Sequence, residues 1–105
     1  MFSFGVFNPQ LTTGVRSLVI SNSAAVRFTR HAEAEMDADG FDHADVLRCL
    51  LKGNIFGPEM QNNQLRANVL HSGLRIRVVI AGLDGTQEDW NKLKKIKVIT
   101  VMATK

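Results

Sequence analysis

Cysteine is nearly absent from this chain. Cys49 stands alone among 105 residues, so no internal disulfide can form and no cysteine-based zinc site can be built. That usage gives no argument for an oxidising compartment. Long apolar runs are missing too, since no stretch approaches the ~20 residues needed to span a bilayer. The opening MFSFGVFNPQ is apolar but carries no basic n-region, and Asn8-Pro9 interrupts it. A cytoplasmic address with no membrane attachment is expected. Repeats, low-complexity tracts and linkers are also lacking, and the length suits one domain around a modest core.

What the chain does have is an uneven spread of charge beneath a net +3. Residues 1–30 carry Arg16, Arg27 and Arg30. Residues 31–63 carry Glu33, Glu35, Asp37, Asp39, Asp42, Asp45 and Glu59 against only Arg48 and Lys52. From residue 64 onward, Arg66, Arg75, Arg77 and a set of lysines outnumber Asp84, Glu88 and Asp89. A basic sheet backed by an acidic helical layer would offer a polyanion one face only. The plainer alternative is two solvated faces.

The pattern of elements runs from irregular to helical to extended. Residues 1–23 read as an N-terminal arm: Asn8-Pro9, Thr12-Thr13 and Gly14 look irregular, and Val15–Ile20 suits a short strand. The domain proper is expected over 24–105. Ala25–Phe28 reads as a strand, Thr29 as the N-cap of a helix over Arg30–Ala38, and Gly40 as its stop. A second helix starts with Asp42 as cap, Asp45 at N3, and Phe41 with Val46 as a hydrophobic staple. Leu47, Leu50 and Leu51 extend its apolar stripe, and Gly53 ends it.

Beyond Gly53 the period falls to two. Ile55-Phe56 and Glu59–Gln61 form a strand broken at Gly57-Pro58, Asn62-Asn63 a tight turn, and Gln64–Leu70 a strand. After a Ser72-Gly73 turn, Leu74, Ile76, Val78 and Ile80 alternate with Arg75, Arg77, Val79 and Ala81. Asp84-Gly85 opens a polar loop over Thr86–Lys95, whose lysines beside Trp90 can engage single-stranded RNA or, more simply, solvate a loop that Trp90 and Leu93 pin to the core, with Lys92, Lys94 and Lys95 outward. Ile96–Ala103 is apolar on both faces in its second half and reads as a central strand. The expected architecture is α+β, with two N-terminal helices on one face of an antiparallel sheet of about four strands.

The stretches VRFTRHAEAEM, GFDHADVLRCLLKG and KVITV together resemble a family of small domains of unknown function grouped with the barnase–EndoU–colicin–RelE-like fold. That group includes RelE-, ParE- and BrnT-type toxins. The resemblance covers roughly residues 24–103 and rests on Thr29-Arg30-His31-Ala32, on the Gly40-Phe41 step and on Thr100 in the last strand. It implies a RelE-like fold, toxin-like metal-independent ribonuclease activity without a cofactor, and RNA and an antitoxin protein as partners. Asp39 departs from the family, whose members typically place an arginine there.

Cleaving RNA without a metal requires a base, an acid and cations around the phosphate. His31 is the first proton-transfer candidate and His71 the second, since histidine titrates near neutrality. Arg75, Arg77 and Arg66 are the phosphate-binding candidates, their forked guanidinium donors matching phosphate oxygens. Each residue also has a simpler role. Glu35, one turn on, can pair with His31, and alternating arginines commonly solvate an exposed sheet face. Cys49, between apolar helix neighbours, reads as buried. A non-catalytic module of the same fold that binds RNA or protein is the alternative, favoured by the acid at Asp39. A homodimer built through residues 1–22, with Phe2, Phe4 and Phe7 at its interface, is a third.

Overall fold

The computed structural model describes residues 5–61, 63–83 and 90–104. Its first helix, α1 (Pro9–Ser21), occupies the region whose residues suggest an irregular segment and a short strand. Asn8-Pro9 starts this helix rather than breaking the chain. The Asn8 Oδ1 accepts from the Leu11 N–H at 2.9 Å, and Pro9 sits at N1, where a missing N–H costs nothing. Leu11, Val15, Leu18 and Val19 then fall on one helical stripe and are buried.

Hydrogen bonds join this helix to the sheet. The Asn8 N–H donates to the Ile55 carbonyl at 2.8 Å, and the Asn8 amide donates to the Gly57 carbonyl at 3.0 Å. The buried Thr12 hydroxyl accepts from the Ile55 N–H at 3.1 Å and donates to the Asn8 carbonyl at 2.8 Å. Residues 8–21 are thus part of the core rather than an arm beside it.

The next elements follow the sequence closely. After β1 (Val26–Phe28), Thr29 caps α2 (Arg30–Asp39) by accepting from the Ala32 N–H at 3.1 Å. Gly40 closes α2 in a left-handed conformation, φ +75°. The Asp42 and Asp45 carboxylates form a reciprocal capping box at the start of α3 (His43–Lys52). Then come β2 (Asn54–Gln61), β3 (Gln64–His71), β4 (Ile76–Ala81) and β5 (Ile96–Ala103).

The sheet is five-stranded and mixed, in the order β1-β5-β4-β3-β2, where an antiparallel sheet of about four strands was expected. The difference comes from β1, which pairs parallel to β5 through Val26–Ile96 and Phe28–Val98 and makes β5 internal. The described residues hold three helices instead of two, and none is long and apolar enough to cross a membrane. Buried side chains of all three helices, such as Leu11, Val15, Ala32, Met36, Val46 and Leu50, join one cluster with Ile55, Val69, Val78 and Val98. The helices therefore cover the same sheet face.

Two turns differ from the simple reading. Arg75 is not a strand residue: it lies in the turn after His71 with φ +54°, and its carbonyl accepts from the Thr104 N–H at 2.8 Å. Asn63 adopts φ +63° in the β2–β3 turn. Asn62, the Asp84-Gly85 turn, Thr86–Asp89, Phe2 and Phe4 lie outside the described residues. Trp90 and Leu93 are buried as expected, with Lys92, Lys94 and Lys95 exposed.

α1 packs so tightly on the Trp90–Lys92 turn that only glycine fits at position 14. A Cβ there would lie 2.4 Å from the Trp90 carbonyl oxygen. Gly14→Ala should therefore destabilise the protein by ~1–3 kcal/mol in urea unfolding, although alanine is the better helix former. A neutral or stabilising result would show that the helix and the turn move apart freely.

Candidate functional site

Strand alternation sends one set of side chains away from the helices. Ile76, Val78 and Ile80 enter the core, so Arg77, Val79 and Ala81 project to the opposite face. Their cross-strand partners follow them. One row across the sheet is Asn54, Leu70, Arg77 and Met102, and the next is Phe56, Asn68, Val79 and Thr100. A third joins Arg27 to Lys97, Lys97 to Ala81 and Glu59 to Arg66, with Arg66 one residue beyond the Ala67–Ile80 pair. Phe7 extends this face at the β2 edge, where it bridges to Phe56 with ring centroids 5.8 Å apart. Among the described residues no helix buries its apolar stripe on this side.

The face carries Arg27, Arg66, Arg77 and Lys97 against one carboxylate, Glu59, with aromatic rings at one edge. Arg77 donates through Nε and Nη2 to the Asn68 Oδ1 at 3.1 and 2.9 Å. Asn68 is the same-face neighbour of Arg66, so this bond draws the Arg77 fork toward Arg66. Partial burial pulls the Arg77 pKa below its usual value, because desolvation disfavours the charged form, yet it stays a cation at neutral pH. The Arg66 Nε is buried and has no hydrogen-bond partner among the described residues. Arg27 and Lys97 are exposed.

The remaining sequence candidates lie elsewhere. His31 is in the first turn of α2, 71% exposed, and its Nε2 stands 3.4 Å from the Glu35 Oε1. That same carboxylate oxygen accepts from the Val101 N–H at 3.0 Å. The register leaves that N–H open, because β1 ends at Phe28, opposite Val98, and among the described residues β5 has no strand partner on that side from there on. Glu35 thus satisfies the open edge of β5 as well as pairing with His31.

α2 buries Ala32 and Met36 in the core, so His31 belongs to the helical layer and the two strand arginines, Arg66 and Arg77, to the opposite face of the sheet. His71 also lies off the basic face. It pairs with Ile76, and its Nδ1 accepts from the Leu74 N–H at 3.0 Å to close the turn. Arg75 is exposed in that turn. Of the five candidates, the structure brings together Arg66 and Arg77 only. Phe56, Asn68, Lys97 and Arg27 went unnoticed as partners, although the alternation that singled out Arg77 extends to its neighbours once strand order is known.

The helical side has the opposite character. A surface pocket of about 570 Å³ between α2 and α3 is lined by Glu33, Asp37, Asp42 and His43, among others. His43 stacks on Phe28 at 4.1 Å, and its Nε2 meets the Glu33 Oε1 at 3.2 Å. Carboxylates dominate this surface, so it would repel a phosphate. Among the described residues no three His, Cys, Asp or Glu side chains gather as a metal-ligand set.

Cys49 is fully buried, and desolvation pushes its thiol pKa up to about 12. It should resist a disulfide reagent at pH 8 in the folded protein and react only on unfolding. The raised pKa also favours the folded state fully below the thiol's ordinary value of 9.0, and this contribution is lost as pH rises toward about 12. Urea midpoints measured across that window should fall, and a Cys49→Ala variant should show a smaller decline. Glu35→Ala should cost ~1–3 kcal/mol by orphaning the Val101 N–H, and Glu35→Gln less, because an acceptor remains.

No family model, curated protein or solved structure matches this chain.

Proposed function

We propose that this protein is a single-stranded RNA-binding module whose binding surface is the helix-free face of the sheet. The observation that carries this reading is the cationic surplus on that face, Arg27, Arg66, Arg77 and Lys97 against Glu59, while the pocket between α2 and α3 on the other side is lined by carboxylates. Guanidinium and ammonium groups on a flat surface suit a phosphate backbone. Phe7, 45% exposed beside Phe56, offers a ring on which a base can stack, and unpaired bases are the ones free to do so. Asn68 and Thr100 supply an amide and a hydroxyl on the same surface.

The toxin-like ribonuclease of the RelE-like group is the second reading. One observation favours it: an exposed histidine, His31, held by a carboxylate at a helix start. Arg30 beside it is a cation, but the two strand arginines, Arg66 and Arg77, belong to the sheet and not to the helical layer that carries His31. Direct reach between a base and its proton is a requirement of that chemistry, so binding is the better supported function.

Anisotropy of a fluorescent oligouridylate tests both readings. Binding through about four cations should give a slope of log K against log salt near about −3, from ~−0.7 per phosphate neutralised. Arg66→Ala/Arg77→Ala should weaken binding and flatten the slope by about half. An Arg48→Ala control on α3 should change neither. Binding without the sheet arginines would remove the proposed surface. Cleavage of the RNA by the wild type, lost in His31→Ala, would replace this reading with the ribonuclease. An absence of RNA binding together with capture of a protein would favour a protein-binding module.

A further inference from the structure

At one end of the sheet a second pocket, of about 400 Å³, opens between the β2–β3 turn, the residues after β4 and the start of β5. It falls within the ~300–1,000 Å³ range of small-molecule sites. Its chemistry is divided. Met60 and Leu65 supply apolar surface and the buried Leu83 borders it, whereas Asn63 and Gln64 bring amides and Lys95 and Lys97 bring ammonium groups. Leu83 is buried, and Leu65 packs against the core, so these apolar walls are fixed. Met60 remains 65% exposed, a large apolar side chain held at the surface beside two lysines. An apolar slot edged by amides and cations suits a planar, hydrogen-bonding ring attached to an anion.

The pocket is continuous with the basic face. Lys97 lines it and also stands in the cross-strand row between Arg27 and Ala81. Gln64 lines it too, and is the same-face neighbour of Arg66 on β3. A strand passing Arg27 along that row would reach the pocket at Lys97.

We propose that this pocket is a mononucleotide subsite that holds one nucleotide of the bound strand. The base lies against Met60 and Leu65, and the phosphate faces Lys95 and Lys97. The assignment rests on the sheet-face reading above and deepens it by giving the strand an end point.

Amide chemical shifts of the 15N-labelled protein, titrated with uridine 5′-monophosphate, uridine and inorganic phosphate in turn, test the assignment. The monophosphate should move Leu65, Gly82, Leu83 and Lys97 and saturate, with the other two probes about tenfold weaker. Lys95→Ala/Lys97→Ala should weaken the monophosphate by a similar factor, and an oligouridylate should displace it. Met60→Gln, at an exposed position where folding is not at stake, should weaken uridine monophosphate but not phosphate. Three results would overturn the proposal: no shifts at the pocket, equal shifts with phosphate alone, or simultaneous binding of monophosphate and oligonucleotide. If the oligonucleotide moves Asn68, Arg77 and Thr100 while the monophosphate leaves the pocket silent, the subsite fails and the sheet-face reading stands. If the monophosphate fills the pocket and no oligonucleotide binds, the sheet-face reading fails, and with it the assignment to a strand.

Discussion

The alternation of side chains along β4 organises the molecule. Ile76, Val78 and Ile80 are almost wholly buried on one side, and that side is where α1, α2 and α3 all place their apolar stripes. Stacking three helices on one face leaves the other free of helical cover among the described residues. Arg77, Arg66, Lys97 and Arg27 can then share a surface with Phe56, Met102 and Val79 without any charge entering the core. A long side chain such as Arg77 can lie along its neighbours and still bond Asn68, which suits a surface that must be both covered and charged.

Among the polar contacts that fix the helical layer on the sheet, two come from side chains inside helices that accept from strand N–H groups. Thr12, buried inside α1, spends its hydroxyl on the Ile55 N–H and the Asn8 carbonyl. Glu35, on α2, accepts from the Val101 N–H where β1 no longer runs beside β5. Each satisfies a backbone group that the sheet ladder leaves over, so each is a positional constraint as much as a source of stability. Glu35 also gives the exposed His31 a partner, and that pairing accounts for the histidine without requiring catalysis.

Much of this was legible in the sequence because local rules decided it. Thr29, Gly40, Asp42 and Asp45 mark helix ends through side-chain or left-handed geometry, and those are properties of a few adjacent residues. The alternation of β4 was equally local. The helix at Pro9–Ser21 was legible in principle: Asn8-Pro9 is a cap followed by N1, and Leu11, Val15, Leu18 and Val19 are a helical stripe. The β-branched Thr12, Thr13, Val15, Val19 and Ile20, with Gly14 among them, masked that signal. Gly14 serves the Trp90 contact, a long-range demand that no local pattern records. The parallel pairing of β1 with β5 is non-local in the same way. For the site, the spacing of Arg75 and Arg77 suggested one strand face. The left-handed turn at Arg75 ends that regularity one residue too early, and strand order decides that Arg66 and Lys97 join Arg77 while His31 and His71 do not.

The central claim is that single-stranded RNA lies on the helix-free face. Ultraviolet cross-linking of an oligouridylate to the protein, followed by mass mapping of the adducted peptides, reads that location directly. The expected result is adducts on the peptides that hold Phe7, Phe56 and Lys97. Adducts confined to α2 and α3, or none at saturating RNA, would contradict it.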